Sequence, residues 1–268
     1  MAKEYDILAI DDEQVILDSI VKICALEGWS VDTAPDAKIA LKKMEQHRYK
    51  LFISDIMMPE MDGFEFLEYV NRRELQSPVI MTTGFSTVEN AVKSLYNGAI
   101  DFLPKPFTME ELQSCISRAM RYREIKLKIR EQNVPSENDT VLFVPCPAKY
   151  TRLGYHSWMV LEEAGTVKIG VTDLFLETIG FVQEIHLFEP DNETVQGNSC
   201  ATILTKDGME HTLLAPLSGS IVQNNESVLA HPEIIEKDPY FKGWLYTLIP
   251  SDLDYESKFL IPCTSEDM

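Results

Sequence analysis

Positive charge is what this 268-residue chain has least of: 24 Lys and Arg stand against 43 Asp and Glu, a formal net charge of -19. Nucleic acid and anionic membranes are bound by neutralising phosphates, so a polyanionic partner is disfavoured. The second half is the extreme case. From Ser136 onward 7 basic residues face 21 acidic ones, whereas residues 1 to 135 hold 17 and 22. DNA binding by the second half is therefore disfavoured. Long apolar runs are also missing. None approaches the roughly twenty residues that a bilayer span needs. MAKEYDILAIDDE lacks the charged, apolar, small-residue order of a signal peptide. A cytoplasmic protein with no membrane partner is expected. The five cysteines, Cys24, Cys115, Cys146, Cys200 and Cys263, show no paired metal-ligand spacing. All are expected to be reduced packing residues.

What is present in residues 1 to 125 is an alternation of short apolar runs and amphipathic segments. Tyr5 to Ile10, Trp29 to Thr33, Leu51 to Ile53, Pro78 to Thr82 and Ile100 to Leu103 read as strands, each followed by a helical pattern. That order implies an α/β fold, a doubly wound five-stranded parallel sheet with helices on both faces. Ligands of such sheets bind at the carboxyl ends of the strands. Asp11 and Asp12 fall after the first strand, Asp55 after the third, Thr83 after the fourth and Lys105 after the fifth. Alone, Asp55 could equally be a helix-capping residue in a strand-to-helix turn. Together, carboxylates that would repel one another suit a divalent cation, with magnesium favoured by hard oxygen ligands. Asp55 is then a candidate nucleophile for phosphoryl transfer, with Lys105 as a point charge and the Thr83 hydroxyl as donor to the phosphoryl oxygens.

IDDE at Ile10 to Glu13, SDIMMPEMDG at Ser54 to Gly63, MTTG at Met81 to Gly84 and DFLPKPF at Asp101 to Phe107 resemble the receiver domain of two-component response regulators. The resemblance implies a flavodoxin-like fold and a sensor histidine kinase as partner. Asp55 becomes the phospho-acceptor. The Mg2+ ligands are Asp12, Asp55 and the Met57 carbonyl, with Asp11 acting through water. Thr83 and Phe102 are switch residues, Lys105 senses the phosphate, and the Lys105-Pro106 bond is expected to be cis. Such a domain accepts a phosphoryl group and is not expected to be an enzyme.

Thr108 with Glu111 forms a capping box, and the helix it opens has no breaker until about Asn133. Arg118, Arg121, Arg123, Lys126, Lys128 and Arg130 crowd its distal part. They suit either a signalling helix, compatible with a phosphorylation-dependent dimer, or a solvated helix beside an acidic neighbour. NVPSENDT, Asn133 to Thr140, is a turn-rich boundary. The expected division is 1–125 receiver, 126–144 helical extension and linker, 145–255 output domain and 256–268 tail.

After the boundary, runs at 141–144, 156–160, 167–171, 182–187, 201–205, 211–214, 219–222 and 244–249 suggest a compact β sandwich or barrel. Lys206, Asp207 and Gly208 are read as a hairpin tip built on a two-residue Asp-Gly turn. HSW at His156 to Trp158, IGVTD at Ile169 to Asp173, LAPLSGSIV at Leu214 to Val222 and HPEIIEKDPYFKGW at His231 to Trp244 resemble the glycine cleavage system H protein, a lipoyl-domain relative. Gly208 occupies the place where that family carries its modified lysine. The resemblance thus implies the fold and leaves the carrier chemistry in doubt. The expected output is contact with an unidentified protein or ligand. A phosphorylation-gated lipoyl carrier modified at Lys206 is the alternative.

Overall fold

The computed structural model describes residues 3–84, 87–131 and 144–264. The linker expected at 133–140 and most of the run expected at 141–144 lie outside them. The chain divides into two compact units, Met1–Ser86 with Asn97–Val141 and Thr87–Tyr96 with Leu142–Met268.

Alternation dominates the first part of the chain: β1 (Glu4–Ile10), α1 (Gln14–Leu26), β2 (Val31–Ala34), α2 (Ala37–Gln46), β3 (Arg48–Asp55), α3 (Gly63–Arg72), β4 (Val79–Thr83), α4 (Val88–Tyr96), β5 (Asp101–Pro104) and α5 (Met109–Glu131). The five strands pair in the order β2-β1-β3-β4-β5, all parallel. Leu51 to Asp55 and the whole of β4 are buried, which explains the apolar runs Leu51 to Ile53 and Val79 to Met81. Helix starts are chemically marked. Asp36 caps α2 through the Ile39 N–H, Asp62 and Glu65 form a capping box on α3, and Thr108 and Glu111 form the expected one on α5.

Arg118 departs from the solvated basic set expected on α5. It is 4% exposed, and its Nε donates to Asp101 Oδ2 at 3.0 Å while Nη1 donates to Ser114 Oγ at 2.6 Å. Burial disfavours its charge, but the Asp101 carboxylate outweighs that and raises its pKa. It is an interior ion pair of the receiver.

The second part contains β6 (Thr151–Leu153), β7 (Ser157–Leu161), β8 (Val167–Val171), α6 (Asp173–Ile179), β9 (Val182–Leu187), β10 (Glu193–Thr194), β11 (Ser199–Thr205), β12 (Glu210–Leu214), β13 (Gly219–Asn224), α7 (Glu226–Ala230), α8 (Ile234–Lys237), β14 (Trp244–Pro250), α9 (Leu253–Glu256), a 3-10 turn (Ser257–Phe259) and β15 (Ile261–Pro262). Two antiparallel sheets result, β10-β13-β14-β8-β7-β6-β15 and β12-β11-β9. Leu153, Ile169, Val171, Ile203, Leu213 and Leu248 are among the buried side chains between them.

Two expectations are corrected here. Within the segment set off as the tail, β15 pairs with β6 through Ile261 with Arg152 and Pro262 with Thr151. That return brings Cys263 to Cys146, and the two form a disulfide across a sequence separation of 117, so not all five cysteines are thiols. The hairpin tip is a three-residue loop rather than a two-residue one. Thr205 N–H bonds Met209 O at 3.0 Å, Gly208 N–H bonds Thr205 O at 2.9 Å, and Gly208 alone in the loop has positive φ, at 84°. This is the type I turn closed by a left-handed glycine that three-residue hairpins use.

Candidate functional site

Four of the five parallel strands, β1, β3, β4 and β5, bring chemically capable residues to the carboxyl edge of the sheet. Lys105 directly follows β5 and precedes a cis Lys105-Pro106 bond, and its N–H donates to Thr83 O at 2.8 Å. Its Nζ lies 2.6 Å from Asp11 Oδ2, 2.8 Å from Asp55 Oδ1 and 3.7 Å from Glu13 Oε1. The Lys105 side chain is 7% exposed and those of Asp11 and Asp55 only 1% and 4%, so screening by water is slight. Asp11 Oδ1 accepts from the Glu13 N–H at 3.0 Å, and Asp55 Oδ2 accepts from the Met57 N–H at 2.8 Å. The other oxygen of each carboxylate is buried with no regular hydrogen bond, leaving the ammonium as its contact.

Burial pushes the Asp11 carboxyl above its ordinary value, with the bond to Lys105 working against the shift and the neighbouring Asp55 adding to it. Burial opposes the Lys105 charge too, but the bonds to Asp11 and Asp55 outweigh it and raise its pKa. The site is thus one cation held between two carboxylates that share it.

Asp11, Asp55, Thr83 and Lys105 meet at this edge, and Thr83 is fully buried. Asp12 is exposed and stands outside the ion-paired cluster, and Met57 is 56% exposed. Phe102 is buried, 8% exposed. Among the described residues no three acids, histidines or cysteines stand at metal-holding spacing. The Asp11 and Asp55 carboxylates nevertheless fit a hard divalent cation in kind, being anionic and oxygen-only.

Two residues gain roles that sequence patterns did not assign. Glu13 closes the acidic run IDDE and reaches Lys105, so the run itself was its signal. Gly63, the first residue of α3, is held against the end of β3. A Cβ there would stand 2.2 Å from the Asp55 carbonyl oxygen, which is backbone and cannot give way.

In the second unit the quoted motifs pack on one another. Trp158 Nε1 donates to Pro239 O at 3.2 Å, Tyr150 OH to Tyr240 O at 2.8 Å and Tyr240 OH to Asp173 Oδ1 at 2.6 Å. Gly170 lies so close that a Cβ would meet the Trp158 ring at 2.4 Å. Lys206 is exposed, its N–H bonds Phe181 O at 2.9 Å, and its Nζ sits 5.3 Å from the centre of the Phe181 ring.

A flavodoxin-like sheet with a charged carboxyl edge, followed by a mostly antiparallel β unit of lipoyl type, defines a receiver joined in sequence to an H-protein-like domain. Residues 7–117 match the response regulator receiver domain family and residues 149–266 the glycine cleavage H-protein family. The first segment belongs to the receiver family, and the second carries the H-protein-like domain. Over 124 residues, 46% of the chain, it is 35% identical to regulatory protein AtoC of Escherichia coli (strain K12) and spans 27% of that protein's length. It is similar to the crystallised receiver domain of NtrX from Brucella abortus, at 34% identity over 43% of this chain and 98% of that one, with a TM-score of 0.41. It is also similar to the glycine cleavage system H protein of Mycobacterium marinum, at 29% identity over 39% and 86% of the two chains, with a TM-score of 0.37. Among the described residues no helix is long and apolar enough to cross a membrane.

Proposed function

We propose that this protein is a cytoplasmic response regulator that receives a phosphoryl group on Asp55 from a sensor histidine kinase. The observation that carries the reading is Lys105 Nζ bridging Asp11 and Asp55 at 2.6 and 2.8 Å in a buried strand-end site. An Asp55 oxygen attacks phosphorus, the bond to the phosphohistidine nitrogen breaks, and the freed imidazole leaves with the kinase. Lys105 pairs with the added phosphoryl charge, and the Thr83 hydroxyl donates to one of its oxygens. Mg2+, held by Asp12, Asp55 and the Met57 carbonyl with Asp11 through water, would neutralise charge on the transferring group. Thr83 and Phe102 form the switch that reads the modification. The domain accepts the group and does not turn over a substrate.

The proposed division is a receiver over 1–125, a helical extension with its linker, and an H-protein-like output domain. The output acts by protein or ligand contact, since the excess of acids from Ser136 onward disfavours DNA. Incubation with acetyl phosphate and magnesium tests the assignment. Stoichiometric phosphorylation of the wild type and none of Asp55→Ala supports it, and equal uptake by both overturns it.

A further inference from the structure

The five cysteines divide by surroundings. Cys24, Cys115 and Cys200 are free and buried, and burial pushes the Cys24 and Cys200 thiols up to about 12 and raises that of Cys115 as well. Such thiols are inert. Cys146 and Cys263 are half-buried and joined to each other. Both line a cleft of about 370 Å³, counting its part open to solvent, together with Arg152, Tyr155, Asp173 and Tyr240. On the protein side both cysteines pack against the Tyr150, Trp158 and Tyr240 cluster.

The segments that the bond ties are otherwise weakly held. β15 is two residues long, and beyond it the Cys263 N–H bonds Tyr150 O at 3.0 Å. Leu260, 5% exposed, is the nearest core anchor on one side, and Tyr150, 8% exposed, on the other. Arg152, 7% exposed, puts a permanent positive charge in the cleft, where an approaching thiolate would find it.

We propose that Cys146 and Cys263 form a reversible thiol–disulfide exchange site, whose substrate class is a small dithiol or its disulfide, and whose state sets the order of residues 144–149 and 261–264. A thiolate of the dithiol attacks one sulfur, the bond between Cys146 and Cys263 breaks, and a mixed disulfide forms. The second thiolate of the reagent then displaces that cysteine. The reagent leaves as its own disulfide, and the cysteine pair has gained two electrons and two protons. The reverse exchange with a disulfide restores the bond. A reducible pair of this kind also suits a cytoplasmic protein better than a permanent staple does.

The test uses the full chain with free thiols alkylated at lysis, followed by peptide mapping without reductant. A Cys146–Cys263 linked peptide is expected, with Cys24, Cys115 and Cys200 unalkylated until the protein is unfolded. Dithiothreitol at millimolar concentration should then open the bond in the folded protein, and oxidised dithiothreitol or glutathione disulfide should close it. Hydrogen exchange should rise about tenfold or more in 144–149 and 261–264 on reduction, with β7, β8 and β14 unchanged. Cys263→Ser should show the reduced pattern without reagent, and if it folds poorly the reduced wild type supplies the same reading. Absence of the linked peptide even after treatment with oxidised dithiothreitol or glutathione disulfide, resistance to dithiothreitol until unfolding, or unchanged exchange after reduction each overturns the proposal.

Discussion

In the receiver, the residues that carry the family resemblance run from four separate strand ends to one buried charge. Asp11 and Asp55 touch Lys105, and Thr83 accepts the Lys105 N–H on its backbone oxygen. In the H-protein-like unit the corresponding motifs run to each other. Trp158, Gly170, Asp173 and Tyr240 are interlocked by hydrogen bonds and close packing, and none lies on the hairpin that carries Lys206. The first set is costly to keep unless its chemistry is used, since two carboxylates share one cation out of water. The second set is kept by the fold alone, because each member fills space or satisfies a polar atom of another. Resemblance therefore means different things in the two halves.

The comparison is broken most sharply at Asp55. Asp55→Ala should abolish phosphorylation by acetyl phosphate, read by intact mass, while leaving the thermal transition of the second unit in place. Next comes the interior pair of the receiver. Arg118→Met removes the guanidinium that pairs with the buried Asp101 carboxylate and should cost about 3–5 kcal/mol in urea unfolding of that unit. A packing change in the other unit should cost less. Gly170→Ala drives a methyl into the Trp158 ring and should destabilise by about 1–3 kcal/mol, and a neutral result would mean that the interlocked motifs are looser than their spacing.

Acid should separate the units by sign. Burial works against the Asp32 charge, but hydrogen bonds from Lys43 and Tyr49 prevail and hold its carboxyl below the ordinary value. Its stabilising contribution to the receiver is present above that value, near 3.8, and fades as pH falls through the depressed one. Asp173 is the reverse. Burial holds its carboxyl above 3.8 despite the bond from Tyr240, so ionisation costs stability at neutral pH and the cost disappears as pH falls below the ordinary value. Asp173→Asn keeps an acceptor for Tyr240 and should raise the melting temperature of the second unit slightly at pH 7, with the gain lost near pH 4. A gain that persists at low pH would assign the effect to packing instead.

The smallest expected effect is none at all. Lipoate with a lipoate ligase, and a true H protein as positive control, should leave the mass of this chain unchanged, because Gly208 stands at the attachment place and Lys206 lies over Phe181. A lipoyl adduct on Lys206 would erase the contrast between the halves and restore the carrier alternative.

The receiver was legible because its signals are local. Apolar runs, the acid run after β1 and the Pro and Gly after Asp55 each lie within a few residues of the geometry they specify. The second unit hid what is non-local or short. β10 and β15 are two residues long and β6 is three, too brief for an alternating pattern, and Cys146 finds Cys263 only after the sheet has closed. Arg118 looked like one of a solvated series because nothing near it in sequence announces Asp101. The hairpin was found, but its loop length depends on the Thr205 to Met209 pairing, which Asp207-Gly208 alone does not determine.

The disulfide also decides how this chain would carry a load. With the Cys146–Cys263 bond closed, tension applied outside that pair runs from one cysteine straight to the other, and the 117-residue span between them is bypassed. Most of the H-protein-like fold is then mechanically silent, and stretching would register the receiver. Opening the bond would make roughly 400 Å of chain extensible at about 3.3–3.6 Å per residue, so the same molecule would be short under force when oxidised and long when reduced.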